Sequence, residues 1–152
     1  MTKEELKIKL TELLPAAALD ETGEWLGMNV TTGDFLNVAQ ILRNDPVLKF
    51  DYLFCLTCVD WKTHLTMVYH FTSTTHRLPL VIKAQLDRNK PEIESVSQIW
   101  RTAEFHEREV YEMFGVNFLN HPDLRLLILP DGWEGKNPMR KDFEDPVNMI
   151  RL

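Results

Sequence analysis

The chain has 152 residues, 44% hydrophobic and 26% charged, with a formal net charge of −6. That length suits one domain with its own core, and the composition is that of a globular protein. The acidic balance argues against nucleic acid, which calls for a basic face, and no apolar run approaches the roughly 20 residues that span a bilayer.

Read from the N-terminus, MTKEELKIKL is an amphipathic helix rather than a leader, which points to a non-exported protein; a peripheral place on a membrane complex stays open. Thr2 and Glu5 have capping-box spacing. Leu6, Leu10, Leu13 and Leu14 form a stripe on a first helix that ends before Pro15. Residues 24 to 30 (EWLGMNV) predict a strand. Asp34 is placed to cap a second helix, with Phe35, Val38, Ala39 and Leu42 on one face, ending near Asn44-Asp45-Pro46. Residues 51 to 59 predict a strand. Residues 65 to 71 and 78 to 86 alternate in hydrophobicity, and the link STTHR between them predicts an antiparallel hairpin with a longer loop. Ser95 is placed to cap a short helix carrying Val96, Ile99 and Trp100. A last helix runs to Gly115. The order predicts an α+β fold: a mainly antiparallel four-stranded sheet, helices packed on one face, then a long irregular C-terminal extension.

The two cysteines, Cys55 and Cys58, form a C-x-x-C pair. In a strand, positions three apart face opposite sides, so the two thiols are not expected to meet on one metal or in a disulfide. With no third Cys, a four-ligand zinc or iron–sulfur site lacks ligands, and both read as core residues.

Residues 1–114 are expected to form the domain and residues 115–152 a separate extended segment. That segment holds four of the eight prolines but also Phe118, Trp133, Met139, Phe143 and Ile150. Apolar anchors on an irregular chain suggest a segment that becomes ordered on a partner, the alternative being a tail folded back on its own domain.

FHEREVYEMFGV, residues 105 to 116, carries the densest charge among apolar residues. On a wheel at about 100° per residue, Ala103, Val110 and Phe114 face the core, with Glu107 among them. Glu104, Arg108 and Glu112 form an i, i+4, i+8 ladder in which one Arg can meet two carboxylates. His106 precedes Glu109 by three, the reverse of the E-x-x-H order of di-iron bundles, and H-E-x-x-H is absent because position 110 is Val. A free-standing carboxylate or metal enzyme would need more: no nucleophile or phosphate loop accompanies Glu107. A buried Glu paired with an Arg or a backbone group is the simpler reading, with Arg101 and Arg125 as candidates.

The run E-R-E-V-Y-E-M-F-G-V-N-F-L-N-H-P-D-L-R-L-L-I, residues 107 to 128, resembles the signature of the 30 kDa subunit, or C subunit, of respiratory complex I (NADH-quinone oxidoreductase). Glu107, Arg108, Glu109, Glu112, Met113, Phe114, His121 and Arg125 carry the match. LTCVD at 56 to 60, the lead-in SVSQIWRTAEFHERE and NPMRKDF at 137 to 143 extend it over roughly residues 50 to 145. One position departs: the family often has a second Arg where this chain has Leu126.

The resemblance implies a non-redox assembly subunit of the peripheral arm of a proton-translocating complex. It implies packing on the D and B subunits near the quinone site, with the segment after the signature lying over D. It implies no catalytic residue, metal or cofactor in this chain. FMN, iron–sulfur clusters and quinone belong to the rest of the complex, which lies peripherally on the cytoplasmic side of the cell inner membrane, or the matrix side in mitochondria. The implied interface residues are Glu107, Arg108, Glu109, Glu112, Phe114, Gly115, His121, Pro122, Arg125, Arg140, Asp142 and Phe143, with Glu107, Glu109 and Arg125 as candidate paired ions. Related subunits of membrane-bound hydrogenases and of quinone-reducing complexes with other electron donors fit the same residues.

Overall fold

The computed structural model describes residues 1–149. Helix α1 (Lys3–Leu13) starts at the predicted capping box. Thr2 Oγ1 accepts from Glu5 N (3.2 Å), and Glu5 Oε2 accepts from Thr2 N (2.9 Å). Helix α2 (Thr32–Asn44) is capped by Thr31, not Asp34; the Thr31 hydroxyl accepts from Asp34 N (3.3 Å), which puts Asp34 in the first turn. In T-T-G-D both residues can cap, and the extended backbone at Thr31 decides it.

Strands β1 (Ala18–Asp20), β2 (Gly27–Val30), β3 (Tyr52–Asp60), β4 (His64–Thr72) and β5 (Pro79–Asp87) form one mixed sheet in the order β1-β2-β5-β4-β3. This corrects the predicted four-stranded, mainly antiparallel sheet. β3, β4 and β5 form the expected antiparallel meander, but β2 joins β5 in parallel, with Met28 opposite Ile82, and β1 adds a fifth strand. The predicted 24 to 30 strand begins only at Gly27. Leu53, Leu56, Leu65, Met67, Tyr69, Phe71, Leu80, Ile82, Ala84 and Leu86 are buried in one core. Helix α2 and the turn that carries Trp100 pack on that face: Phe35 of α2 lies against Tyr69 at 4.4 Å, and Trp100 packs on Phe71 at 4.6 Å.

Alternation resumes after an irregularity between Leu53 and Cys55, leaving Cys58 buried and Cys55 half-buried on the other face, so only Cys58 is a core residue. Burial first, then the nearby Asp60 carboxylate, pushes the Cys58 thiol up to about 12, so it is no ready nucleophile.

Val96 to Thr102 form turns closed by Ile99 N→Val96 O (3.0 Å) and Ala103 N→Trp100 O (3.0 Å), not the predicted short helix. Two three-residue strands then frame the last helix: β6 (Glu92–Glu94), α3 (Ala103–Phe114) and β7 (Asn117–Leu119), with β6 and β7 parallel and Ile93 opposite Phe118. Helix α3 is therefore the crossover of a small β-α-β unit, tied to the domain at both ends. Phe118, expected among the partner anchors, is buried in the domain core. Ile150 lies outside the described residues.

Candidate functional site, a backbone strap clamped to helix α3

Gly115 ends α3 with φ +78°, its N–H bonded to Tyr111 O (2.9 Å). A Cβ here would lie 2.7 Å from the Asn137 amide. Gly115→Ala therefore combines left-handed strain with displacement of Asn137. We expect a loss of about 1–2 kcal/mol, read from the urea midpoint.

Beyond β7 the described chain has no helix or strand, and its polar backbone groups need other partners. Helix α3 supplies them. Arg108 Nε and Nη2 donate to the carbonyls of Arg125 (3.1 Å) and Leu126 (2.6 Å). One turn on, Glu112 accepts from three successive amides, Leu127, Ile128 and Leu129, at 2.9 to 3.1 Å. Both side chains are buried, Glu112 to 1% exposure. The expected Glu104–Arg108–Glu112 ion ladder does not form. Arg108 and Glu112 instead hold residues 125–129 as a strap along the helix. The wheel placed the two residues on one side of α3, but it cannot show a backbone segment more than a dozen residues away in sequence.

Further clamps follow. His121 Nε2 lies 3.0 Å from Glu104 O while Nδ1 accepts from Asp123 N (3.0 Å), which places the ring proton on Nε2. The last carbonyls of α3 are also met: Met139 N donates to Met113 O (3.1 Å), and Arg140 Nε to Phe114 O (2.7 Å). A cation at a helix C-terminus also suits the helix dipole. Asp60, at the end of β3, accepts from Arg88 Nε and Nη2 (both 2.9 Å), Lys62 N (2.8 Å) and Lys141 N (2.9 Å). Those Arg88 bonds above all hold its carboxyl well below the usual carboxylate range. Arg88 also reaches Asp142 (3.0 Å). Asp60, Arg88 and Asn137 are therefore structural members of the site that sequence reasoning missed. Asp60 closes the LTCVD motif, but Arg88 lies in no motif.

Glu107 is 0% exposed, and neither expected arginine reaches it. Arg125 is exposed and paired with Asp123 (2.9 Å), and Arg101 is exposed. Glu107 Oε1 accepts instead from Ser95 Oγ (3.0 Å) and Val96 N (3.2 Å), while Oε2 has no partner among the described residues. Burial raises its pKa to about 8, against the lowering effect of the Ser95, Val96 and Ser97 bonds. The candidate ion pairing of Glu107 with Arg125 is thus replaced by backbone and hydroxyl capping. Glu109 is half-buried and makes no hydrogen bond or ion pair among the described residues. Pro122 is exposed, and Phe143 is half-buried beside Trp133 at 6.3 Å. Trp133, Lys136, Arg140 and Phe143 line an open cleft of about 520 Å³. Among the described residues no group of His, Cys, Asp or Glu is arranged to hold a metal ion, and no helix is long and apolar enough to cross a membrane.

The model of the family described as respiratory-chain NADH dehydrogenase, 30 Kd subunit, matches residues 28–147. The chain belongs to this family. Residues 107 to 128, which carry the signature, lie within the matched range. The C subunit of NADH-quinone oxidoreductase from Chloroherpeton thalassium is 43% identical over 109 residues, 70% of this chain and 45% of the relative. A relative from Phocaeicola vulgatus, named as the C/D subunit of NADH-quinone oxidoreductase, is 45% identical over 104 residues, 67% of this chain but 20% of the relative. The chain thus spans less than half the length of these two relatives. The C subunit of the F420H2 dehydrogenase of Methanosarcina mazei is 46% identical over 99 residues, 64% of this chain and 63% of that one. Among solved structures, a chain of the membrane-bound sulfane sulfur reductase, an archaeal respiratory membrane complex, superposes with TM-score 0.81 at 28% identity, covering 93% of this chain and 85% of that one. The chain is thus similar both to subunits named for NADH-quinone oxidoreductase and to chains of complexes named for other substrates.

Proposed function

We propose that this chain is a non-redox structural subunit of the peripheral arm of a proton-translocating NADH:quinone oxidoreductase. In this reading it packs on D-type and B-type subunits near the quinone site, on the cytoplasmic or matrix side of the membrane. It binds no cofactor; FMN, iron–sulfur clusters and quinone sit in its neighbours. The observation that carries the reading is the use made of the family signature. Arg108, Glu112, His121 and Arg140 are directed at backbone groups of the chain itself, an arrangement that shapes a surface. The Glu109 carboxylate, half-buried on α3 and without an ion pair among the described residues, is a charge left for a partner. A second reading keeps this role in a complex with another electron donor. It is favoured by the likeness to the F420H2 dehydrogenase and sulfane sulfur reductase chains.

Glu109→Ala tests the structural role. Assembly of the complex and quinone reductase activity should fall together, while the isolated variant keeps its melting temperature. Full assembly with lost turnover would assign Glu109 to the chemistry and refute the proposal.

A further inference from the structure

The core between the sheet and helix α3 holds two hydrogen-bonding atoms that no protein group meets. Tyr69 and Glu107 are both 0% exposed, and among the described residues Tyr69 Oη and Glu107 Oε2 have no hydrogen-bond partner. Neither side chain is loosely held. The Tyr69 ring lies against Phe35 at 4.4 Å and beside Phe71 at 6.2 Å. Glu107 Oε1 is fixed by Ser95 Oγ and Val96 N.

The register of the sheet brings a third polar group to the same place. Cys58 of β3 is paired with Met67 of β4, so Tyr69, two residues on and buried on the same face, is its diagonal neighbour. Helix α3 packs on β3 and turns Glu107 into this core. Burial first, then Glu107 and Cys58, push the Tyr69 phenol up, so the three groups lie within electrostatic reach of one another. Native interiors seldom leave a phenol or a carboxyl unmet; they supply a protein group or an ordered water. Here the donors match a water. Glu107 largely keeps its proton at neutral pH, and Oε1 already accepts two bonds, which puts the proton on Oε2. Oε2–H and the phenol O–H are then two donors, and a water oxygen has two lone pairs to accept them. The Cys58 sulfur stands on the same face as a weak acceptor for the water's own hydrogen.

We propose that Tyr69 Oη and Glu107 Oε2 share one internal water molecule, a structural ligand that joins strand β4 to helix α3. The site belongs to the folded chain itself and does not depend on which complex the chain enters. Its consequence falls on α3. The helix that holds the strap through Arg108 and Glu112 is itself seated on the sheet through a water-bridged pair.

A crystal structure of the full chain, at a resolution that shows ordered waters, should place one water within about 2.7–3.0 Å of both atoms. In solution, oxygen-17 relaxation dispersion counts long-lived internal waters. The wild type should hold one more than the double variant Tyr69→Phe, Glu107→Leu, which removes both polar atoms. Glu107→Gln, which still offers a donor, should keep the water. A direct contact between Oη and Oε2 with nothing between them would overturn the site. So would equal numbers of long-lived waters in the wild type and the double variant. A feature that rubidium replaces would be a monovalent cation and would overturn it as well. If the double variant does not fold, the wild-type electron density decides alone.

Discussion

Glu112→Ala should lower the stability of the isolated chain by about 3 kcal/mol and release the strap. Three amides lose one charged acceptor, and a hydrogen bond to a charged group is worth about 1.5–3 kcal/mol. Leu127 and Ile128 are exposed, so water can reach their amides once the carboxylate is gone, which keeps the loss below the full sum. Glu112→Gln keeps one acceptor oxygen and should fall between the two. The urea midpoint gives the stability, and limited proteolysis reports the strap, with new cleavage expected within residues 125–129. An unchanged midpoint with no new cleavage would mean that Glu112 does not hold this segment.

Glu107→Gln should have the opposite character: little effect in acid and a gain in alkali. The native pKa of about 8 lies above the ordinary value of 4.5, chiefly through burial. A carboxyl raised in this way binds its proton more tightly in the folded state. Its contribution is fully present below about pH 4.5 and is lost as pH rises through about 8. The groups facing it are Ser95, Val96 and Ser97 from the turn before α3, Glu104 from α3 itself and Tyr69 from β4. None of these is a cation, and the Tyr69 hydroxyl, also without a partner among the described residues, is itself pushed up by burial and by Glu107. Gln retains the Oε1 acceptor and never ionises. Relative to the wild type it should gain on the order of 3–4 kcal/mol between pH 5 and pH 9. Melting curves at the two pH values check this, and parallel pH dependence of the two proteins would place the titration elsewhere.

Much of the fold was legible because its strands alternate. Leu65, Met67, Tyr69 and Phe71 fall on one face of β4 and pair across to Leu86, Ala84, Ile82 and Leu80 on β5, so periodicity alone places both strands. The parallel docking of β2 on β5 was not legible. GMNV carries no mark of its partner, and the pairing depends on which edge the meander leaves free. β1 is three residues with little burial, too short for a periodic signal. In the candidate site, the wheel placed Ala103, Glu107, Val110 and Phe114 correctly in the core. It failed for Arg108 and Glu112, which lie on the side read as a charged surface and are buried. What buries them is the strap, a long-range partner with no regular structure and hence no pattern to read. Glu107 was expected to pair with an Arg or with a backbone group, and the second alternative is the one found. The turn from Ser95 to Ser97 offers hydroxyl and amide donors instead, which serve a carboxyl that is largely protonated at neutral pH.

Affinity purification of the tagged full-length chain from gently solubilised native membranes, followed by identification of the co-eluting chains and a donor-dependent quinone reductase assay, tests the central claim most directly. We expect iron–sulfur and D-type subunits in the eluate and NADH-driven quinone reduction. Activity with another donor but not with NADH, in the presence of the same partners, would move the chain to the second reading. A chain that elutes alone, or with no iron–sulfur partner, would contradict its assignment as a subunit of such a complex.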